Sequence, residues 1–198
     1  MPVAPTREAT TGLILAGGRG QRLGGVDKGL QPWRGLPLVD HALARLAPQV
    51  REVMISANRN ASAYASRVTR VLADESDDLP GPLAGILAGL RAASTAWLAV
   101  VPCDSPRLPL DLVERLARGV GDAAGAVVQR DHGDGQLRLE PVCCVLSTAL
   151  ADDLERYLAD GGRKVEGWVS RHAATVLFDR PDDAPAFANI NTLADLEG

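Results

Sequence analysis

The stretch Leu15–Lys28 (LAGGRGQRLGGVDK) sets five glycines among Arg19, Arg22 and Lys28, directly after a short apolar run. Glycines lack Cβ atoms, so the backbone can approach a ligand closely and turn its N–H groups towards anionic oxygens. Cations on the same loop would offset phosphate charge. The loop is not a Walker loop, because Asp27 rather than Gly precedes Lys28 and Gly29 rather than Ser or Thr follows it. Nor does it fit the dinucleotide fingerprint: Leu23 stands at the third glycine position counted from Gly18. The residue types point to a phosphate-binding loop of another kind.

A second group of residues consists of acids and amides that follow apolar runs. Asp104 lies in Pro102-Cys103-Asp104-Ser105-Pro106, after Trp97–Val101. A carboxylate at this place would repel a triphosphate unless a cation lay between them. Mg²⁺ commonly uses one or two carboxylates plus substrate phosphates, so Asp104 is the candidate metal ligand. Its alternative reading is a turn cap before the next helix. Asp74 after Thr69–Ala73 reads equally as a nucleotide or metal contact and as part of a solvated turn with Glu75, Asp77 and Asp78. Asn58 after Glu52–Ala57 reads as an amide that recognises a base or ribose, or as a turn cap.

These residues need a scaffold that gathers chain ends, and the patterning supplies one. Buried strands are expected at 12–16, 52–57, 69–73 and 97–101, and amphipathic helices at 38–46, from Pro82 to Leu90 and at 110–118. Pro82 suits a first helical turn, where its missing N–H costs nothing. The alternation implies a mainly parallel sheet with helices on both faces, in which ligands collect at the carboxyl ends of the strands. After Gly121 the rhythm loosens. Residues 126–130 and 141–146 are expected to pair across the polar turn 131–136, followed by a helix at 148–158, a strand at 174–178 and a closing helix at 192–197. The expectation is a disordered start at 1–11 and a single domain over 12–198.

Composition narrows the class. The chain has 198 residues, 46% of them hydrophobic and 23% charged, which suits a globular domain. A net charge of −4 argues against nucleic acid, whose binding rests on a basic surplus, but leaves room for a small phosphate-bearing ligand. Cys103, Cys143 and Cys144 lack zinc-site spacing and read as buried thiols in a reducing compartment. No apolar run reaches the ~20 residues that span a bilayer, and the start has no apolar core of signal-peptide length, so a cytoplasmic location is expected.

Taken in order, the motifs resemble those of the molybdenum cofactor guanylyltransferases. The likeness runs from LAGG through Arg22-Leu23-Gly24-Gly25 and Asp27-Lys28-Gly29 to Ala57-Asn58-Arg59. It continues in Pro80-Gly81-Pro82-Leu83-Ala84-Gly85, Pro102–Pro106 and Phe187-Ala188-Asn189-Ile190-Asn191-Thr192. The resemblance implies a Rossmann-like three-layer α/β fold, a mostly parallel sheet with antiparallel strands added in the C-terminal third. It implies transfer of GMP from GTP to molybdenum-loaded molybdopterin, with magnesium on Asp104. It places Leu15, Ala16, Gly17, Gly18, Lys28, Asn58, Asp74 and Asp104 at GTP, and Arg163, Lys164, Asn189 and Asn191 at the pterin. Other cofactor-biosynthesis proteins and recipient molybdoenzymes are the implied partners. The chain departs from the family at Leu23, where methionine is frequent, at Gly162-Arg163-Lys164 and at Glu140-Pro141.

In the expected mechanism, Lys28 and Arg22 stabilise charge on the transferred and leaving groups while Asp104 holds the metal. The rival readings are a cytidylyltransferase of the same cofactor, a sugar-phosphate nucleotidyltransferase and a non-catalytic pterin carrier. His41, His132 and His172 are expected on the surface. Trp33, Trp97 and Trp168 are expected to be packing residues, with Trp168 close enough to Arg163 to leave pterin stacking open.

Overall fold

The computed structural model describes residues 4–16, 26–73, 81–190 and 195. Its elements in chain order are β1 (Thr10–Leu15), a two-stranded ribbon of β2 (Pro32–Trp33) and β3 (Leu36–Pro37), α1 (Leu38–Leu46), β4 (Glu52–Ser56), α2 (Ala61–Ala65) and β5 (Arg70–Leu72). There follow α3 (Pro82–Ala92), β6 (Trp97–Pro102), α4 (Leu112–Gly119), β7 (Gly125–Asp131), β8 (Leu137–Ser147), α5 (Ala151–Ala159), α6 (Val165–Val169), β9 (Ala173–Leu177) and α7 (Asp183–Ala186).

Seven strands form one sheet in the order β5-β4-β1-β6-β8-β7-β9. β1 pairs in parallel with both β4 and β6, β4 with β5, and β7 with β9. β8 runs antiparallel to β6 and β7, so the antiparallel character expected of the last third comes through β8 alone. Strand alternation splits the core into two layers. Ile14, Ile55 and Val101 pack with Val39, Ala42 and Leu46 of α1 and with Leu112 and Leu116 of α4. Leu13, Met54 and Val100 pack on the other face with Leu83, Ile86 and Leu90 of α3, Leu154 of α5 and Trp168 of α6.

The chain start departs from expectation. Residues 4–11 are not disordered: a 3₁₀ turn at Arg7–Ala9 leads into β1, which begins at Thr10. Polar side chains concealed this beginning. Thr10 and Thr11 are wholly buried, and their hydroxyls are satisfied by the Thr6 carbonyl at 2.7 Å and by Thr95 Oγ1 at 2.9 Å. The expected closing helix at 192–197 lies outside the described residues apart from Asp195, which is helical.

The pairing of β7 with β8 shifts register between Val127 and Val128, whose partners are Cys144 and Glu140. Pro141, Val142 and Cys143 fall in the offset. Pro141 has no N–H to give a ladder, which suits it to such a bulge.

Candidate active site

Strand order reverses around β1, since the chain runs outward through β4 and β5 and then crosses back to β6 on the other side. A crevice opens at the carboxyl ends of the strands at such a switch point. Here it is a cavity of about 270 Å³. Leu15 and Ala16 contribute from the end of β1, Ser56 from the end of β4, and Pro102, Cys103 and Asp104 from the end of β6. Gly81, Pro82 and Gly85 add the first turn of α3, and Lys28, Val142 and Asn189 complete the described lining. Roomier concavities of about 520 and 400 Å³ lie elsewhere, around Thr6 and Val113 and around Arg45 and Asp182. Chemistry, not volume, singles out the cavity at the switch point.

Lys28 Nζ donates to Asp104 Oδ2 at 2.6 Å, and both side chains are nearly buried, at 18% and 19% exposure. The other oxygen, Oδ1, is buried and accepts no hydrogen bond from the described residues. A buried anionic oxygen without a donor is costly, and among the described residues this one has none. The hard carboxylate oxygen suits Mg²⁺, which takes few protein ligands and fills its octahedron with phosphate oxygens and water. Among the described residues no group of three or more His, Cys, Asp or Glu side chains gathers as a metal cage.

Local structure explains how these groups are held. Asp104 sits in a turn whose backbone is tied on both sides: Cys103 N–H donates to Leu15 O at 3.1 Å and Ile190 N–H to Asp104 O at 2.9 Å. Ser105 Oγ adds a 2.6 Å bond to Asn189 Oδ1, so the late segment 187–190 is pinned to the Asp104 turn. Gly85 permits the first turn of α3 to reach the sheet. A Cβ there would stand 2.5 Å from Ser56 Oγ and 3.0 Å from Leu15 Cδ2. The result is a helix start, with Gly81 at a positive φ of 124° and Pro82 next, at the mouth of the cavity.

Of the residues singled out from sequence, Leu15, Ala16, Lys28, Asp104 and Asn189 meet at this cavity. Asn189 was assigned with the pterin group, yet it shares a wall with Asp104. Asn58 follows β4 on an exposed segment and is not part of the lining. Arg163 and Lys164 stand away from the cavity in the exposed turn after α5, where Arg163 Nη1 donates to Leu158 O and Gly162 O. Gly17, Gly18, Arg22, Asp74 and Asn191 lie outside the described residues. Ser56 and Val142 were missed. Ser56 is an ordinary strand residue in the sequence, and Val142 reaches the cavity only through the β8 bulge.

The remaining candidates take structural roles. Cys103, Cys143 and Cys144 are buried and unpaired by disulfide, and burial pushes the Cys103 thiol up to about 12. Trp168 is fully buried, with its indole N–H on Asp153 Oδ1 at 2.9 Å, which removes it from pterin stacking. His41 and His172 are half-buried rather than on the surface. His41 Nε2 bonds the Trp33 carbonyl at 2.8 Å and His172 Nε2 lies 2.8 Å from Asp153 Oδ1. His132 is exposed.

Residues 12–176 match the family model of the MobA-like NTP transferase domain. A molybdenum cofactor guanylyltransferase from Cupriavidus pinatubonensis is 52% identical over 194 residues, covering 96% of each chain. The chain belongs to the molybdenum cofactor guanylyltransferase family. A protein of the same description from Ralstonia nicotianae is 50% identical over 199 residues, covering 97% of this chain and 96% of its own. The crystal structure of molybdopterin-guanine dinucleotide biosynthesis protein A from Archaeoglobus fulgidus is similar over 94% of this chain and 95% of its own. It has a TM-score of 0.72 and 25% identity. Membership agrees with the α/β nucleotidyltransferase architecture derived from the strands. No helix among the described residues is long and apolar enough to cross a membrane.

Proposed function

We propose that this guanylyltransferase-family chain, acting as one domain over residues 12–198, transfers GMP from GTP to the terminal phosphate of molybdenum-loaded molybdopterin. The products are the guanine dinucleotide cofactor and pyrophosphate. The observation that carries the reading is the Lys28–Asp104 pair, with an Asp104 oxygen that accepts no bond from the described residues, set at the switch point of the sheet.

The pterin's terminal phosphate oxygen attacks the α-phosphorus of GTP and the bond to the bridging oxygen of pyrophosphate breaks. The attacking oxygen is already ionised at neutral pH, so no protein base has to remove a proton. The protein's work is positioning and charge stabilisation. Lys28 stabilises negative charge on the transferred and leaving groups, and Arg22 in the glycine-rich loop is proposed to assist. The first turn of α3 would turn backbone N–H groups and the positive end of its dipole towards the triphosphate. Asp104 would hold Mg²⁺, which when bound neutralises charge on the triphosphate. Leu15, Ala16, Gly17, Gly18, Asn58 and Asp74 are proposed to contact GTP. Asn189 and Asn191 are proposed on the pterin side, with Arg163 and Lys164 as outlying contacts.

The test is pyrophosphate release by the purified protein with Mg²⁺ and molybdenum-loaded molybdopterin, with GTP or CTP supplied in parallel. Release with GTP, little with CTP, and its loss in Asp104→Ala are expected. A preference for CTP would overturn the base assignment. Silence with both nucleotides despite pterin binding would replace the enzyme by a carrier.

A further inference from the structure

Asp27 precedes Lys28 and takes no part in the mechanism above, yet its carboxylate is crowded with donors. Oδ1 accepts Gly29 N–H at 3.1 Å and the Tyr64 hydroxyl at 2.5 Å, while Oδ2 accepts Asn60 Nδ2 at 3.0 Å. Capping the 3₁₀ turn Lys28–Leu30 needs only the first of these. The other two arrive from the β4–α2 connection and from α2 itself, more than thirty positions along the chain.

That connection is built for the contact. Asn60 adopts the left-handed region at φ 54°, ψ 32°, which Asn tolerates better than most residues. Tyr64 is completely buried and would lose a partner for its hydroxyl without Asp27. Burial first, and then the bond to Asp27, hold the phenol well above its usual range, so it stays a donor. Gly29 leaves the space, since a Cβ there would stand 2.5 Å from the Tyr64 oxygen.

We propose that Asp27 is the positioning residue for Lys28. Its carboxylate clamps the turn that carries the lysine onto Asn60 and Tyr64, and so sets the 2.6 Å approach of Lys28 Nζ to Asp104. Lysine is a point charge on a flexible stem, so its reach is decided by where its backbone is fixed. Three donors take most of the lone-pair sites of this carboxylate, which the clamp uses as an acceptor.

Two variants separate these roles. Asp27→Asn keeps an amide oxygen for Gly29 and Tyr64, whereas Asp27→Ala removes the clamp; a metal ligand would be lost in both. Tyr64→Phe removes one donor while keeping the buried ring. The kinetic arm rests on the proposed guanylyl transfer. Asp27→Ala is expected to lower kcat roughly 10–10²-fold, and Asp27→Asn less than about threefold. Asp27→Ala should add little in a Lys28→Ala background, because it acts through the lysine. Equal damage from Asn and Ala, or a full further loss in the Lys28→Ala background, would overturn the proposal.

A second arm is independent of activity. The chain has only two lysines, Lys28 and Lys164, so limited acetylation read by mass spectrometry reports Lys28 against exposed Lys164. The Lys28 to Lys164 labelling ratio should rise by about fivefold or more in Asp27→Ala, to a lesser extent in Tyr64→Phe, and little in Asp27→Asn. An unchanged ratio in Asp27→Ala overturns the clamp. If the wild type makes no product but the ratio responds, the guanylyl-transfer reading fails and the clamp stands.

Discussion

Replacing Lys28 by Ala tests the site most directly. The ammonium lies 2.6 Å from Asp104 Oδ2, with both side chains less than one-fifth exposed, so it is screened less than a surface charge. At an effective dielectric of ~20, two unit charges about 4 Å apart interact by about 4 kcal/mol. Only the charge that develops between ground and transition state counts towards rate, so the usable share is the smaller part of that attraction plus the loss of an oriented donor. Lost transition-state donors elsewhere cost about 2.7–4 kcal/mol, which is roughly 10²–10³ in rate. Asp104 Oδ2 would also lose its ammonium partner, at about 1–3 kcal/mol of stability for an unsatisfied acceptor before any rescue by water. The assay is steady-state pyrophosphate release with both substrates saturating, beside a thermal melt without ligand. A fall in kcat of roughly 10²–10³, with a lowered Tm, is expected. A loss smaller than about threefold at saturation would refute the reasoning, because a cation that stabilises the transition state cannot be dispensable there.

Gly85→Ala should raise the KM for GTP and destabilise the fold by about 1–3 kcal/mol, since the new Cβ collides with Ser56 and Leu15; an unchanged KM and Tm would show that α3 does not need this approach. The buried pair of Arg115 and Asp183, with bonds of 2.7 and 2.8 Å, gives a pH-dependent prediction. Burial alone would raise the Asp183 carboxyl, but the bonds from Arg115 and the Arg180 N–H prevail and hold it below the usual range. A depressed folded value contributes stability that is complete above the unfolded pKa of about 4 and fades as pH falls through the folded one. Asp183→Ala should therefore cost about 3–5 kcal/mol in urea unfolding at pH 7, with the deficit shrinking below about pH 4. A deficit that stayed constant into acid would contradict the ion pair as its source.

Much of the scaffold could be read from local pattern. The spacing of Leu38, Ala42 and Leu46 marked α1 at both ends, and Pro82 marked the start of α3, because helical period and proline's missing N–H act within one turn. Runs such as Trp97–Val101 were legible because a central strand covered on both faces is apolar throughout. Lys28 and Asp104 were legible as well, since charged residues among glycines and prolines after a buried run have few packing roles.

Long-range pairing was not legible. Thr10 and Thr11 pair in the ladder of β1 and are tolerated in its core because the carbonyl of Thr6 and the hydroxyl of Thr95 satisfy their hydroxyls. Val142 enters the cavity through a register shift that no alternation announces. Arg163 and Lys164 were placed at the pterin by resemblance alone, and in the turn after α5 they are not among the described lining of the cavity. Asp27 looked like part of a motif, and its bonds to Asn60 and Tyr64 exist only once α2 packs beside the loop's end. The sequence by itself determined the types of the longer elements and the place of the acid after β6, because each depends on neighbours within a few residues, whereas the short α2, α6, α7 and the β2–β3 ribbon carried no such pattern. Tertiary structure alone decided which strand ends adjoin, that Lys28 faces Asp104 across 76 positions, and that Asn189 shares their cavity. Those contacts depend on sheet order and register, which are set by the summed packing of both faces and not by any local run.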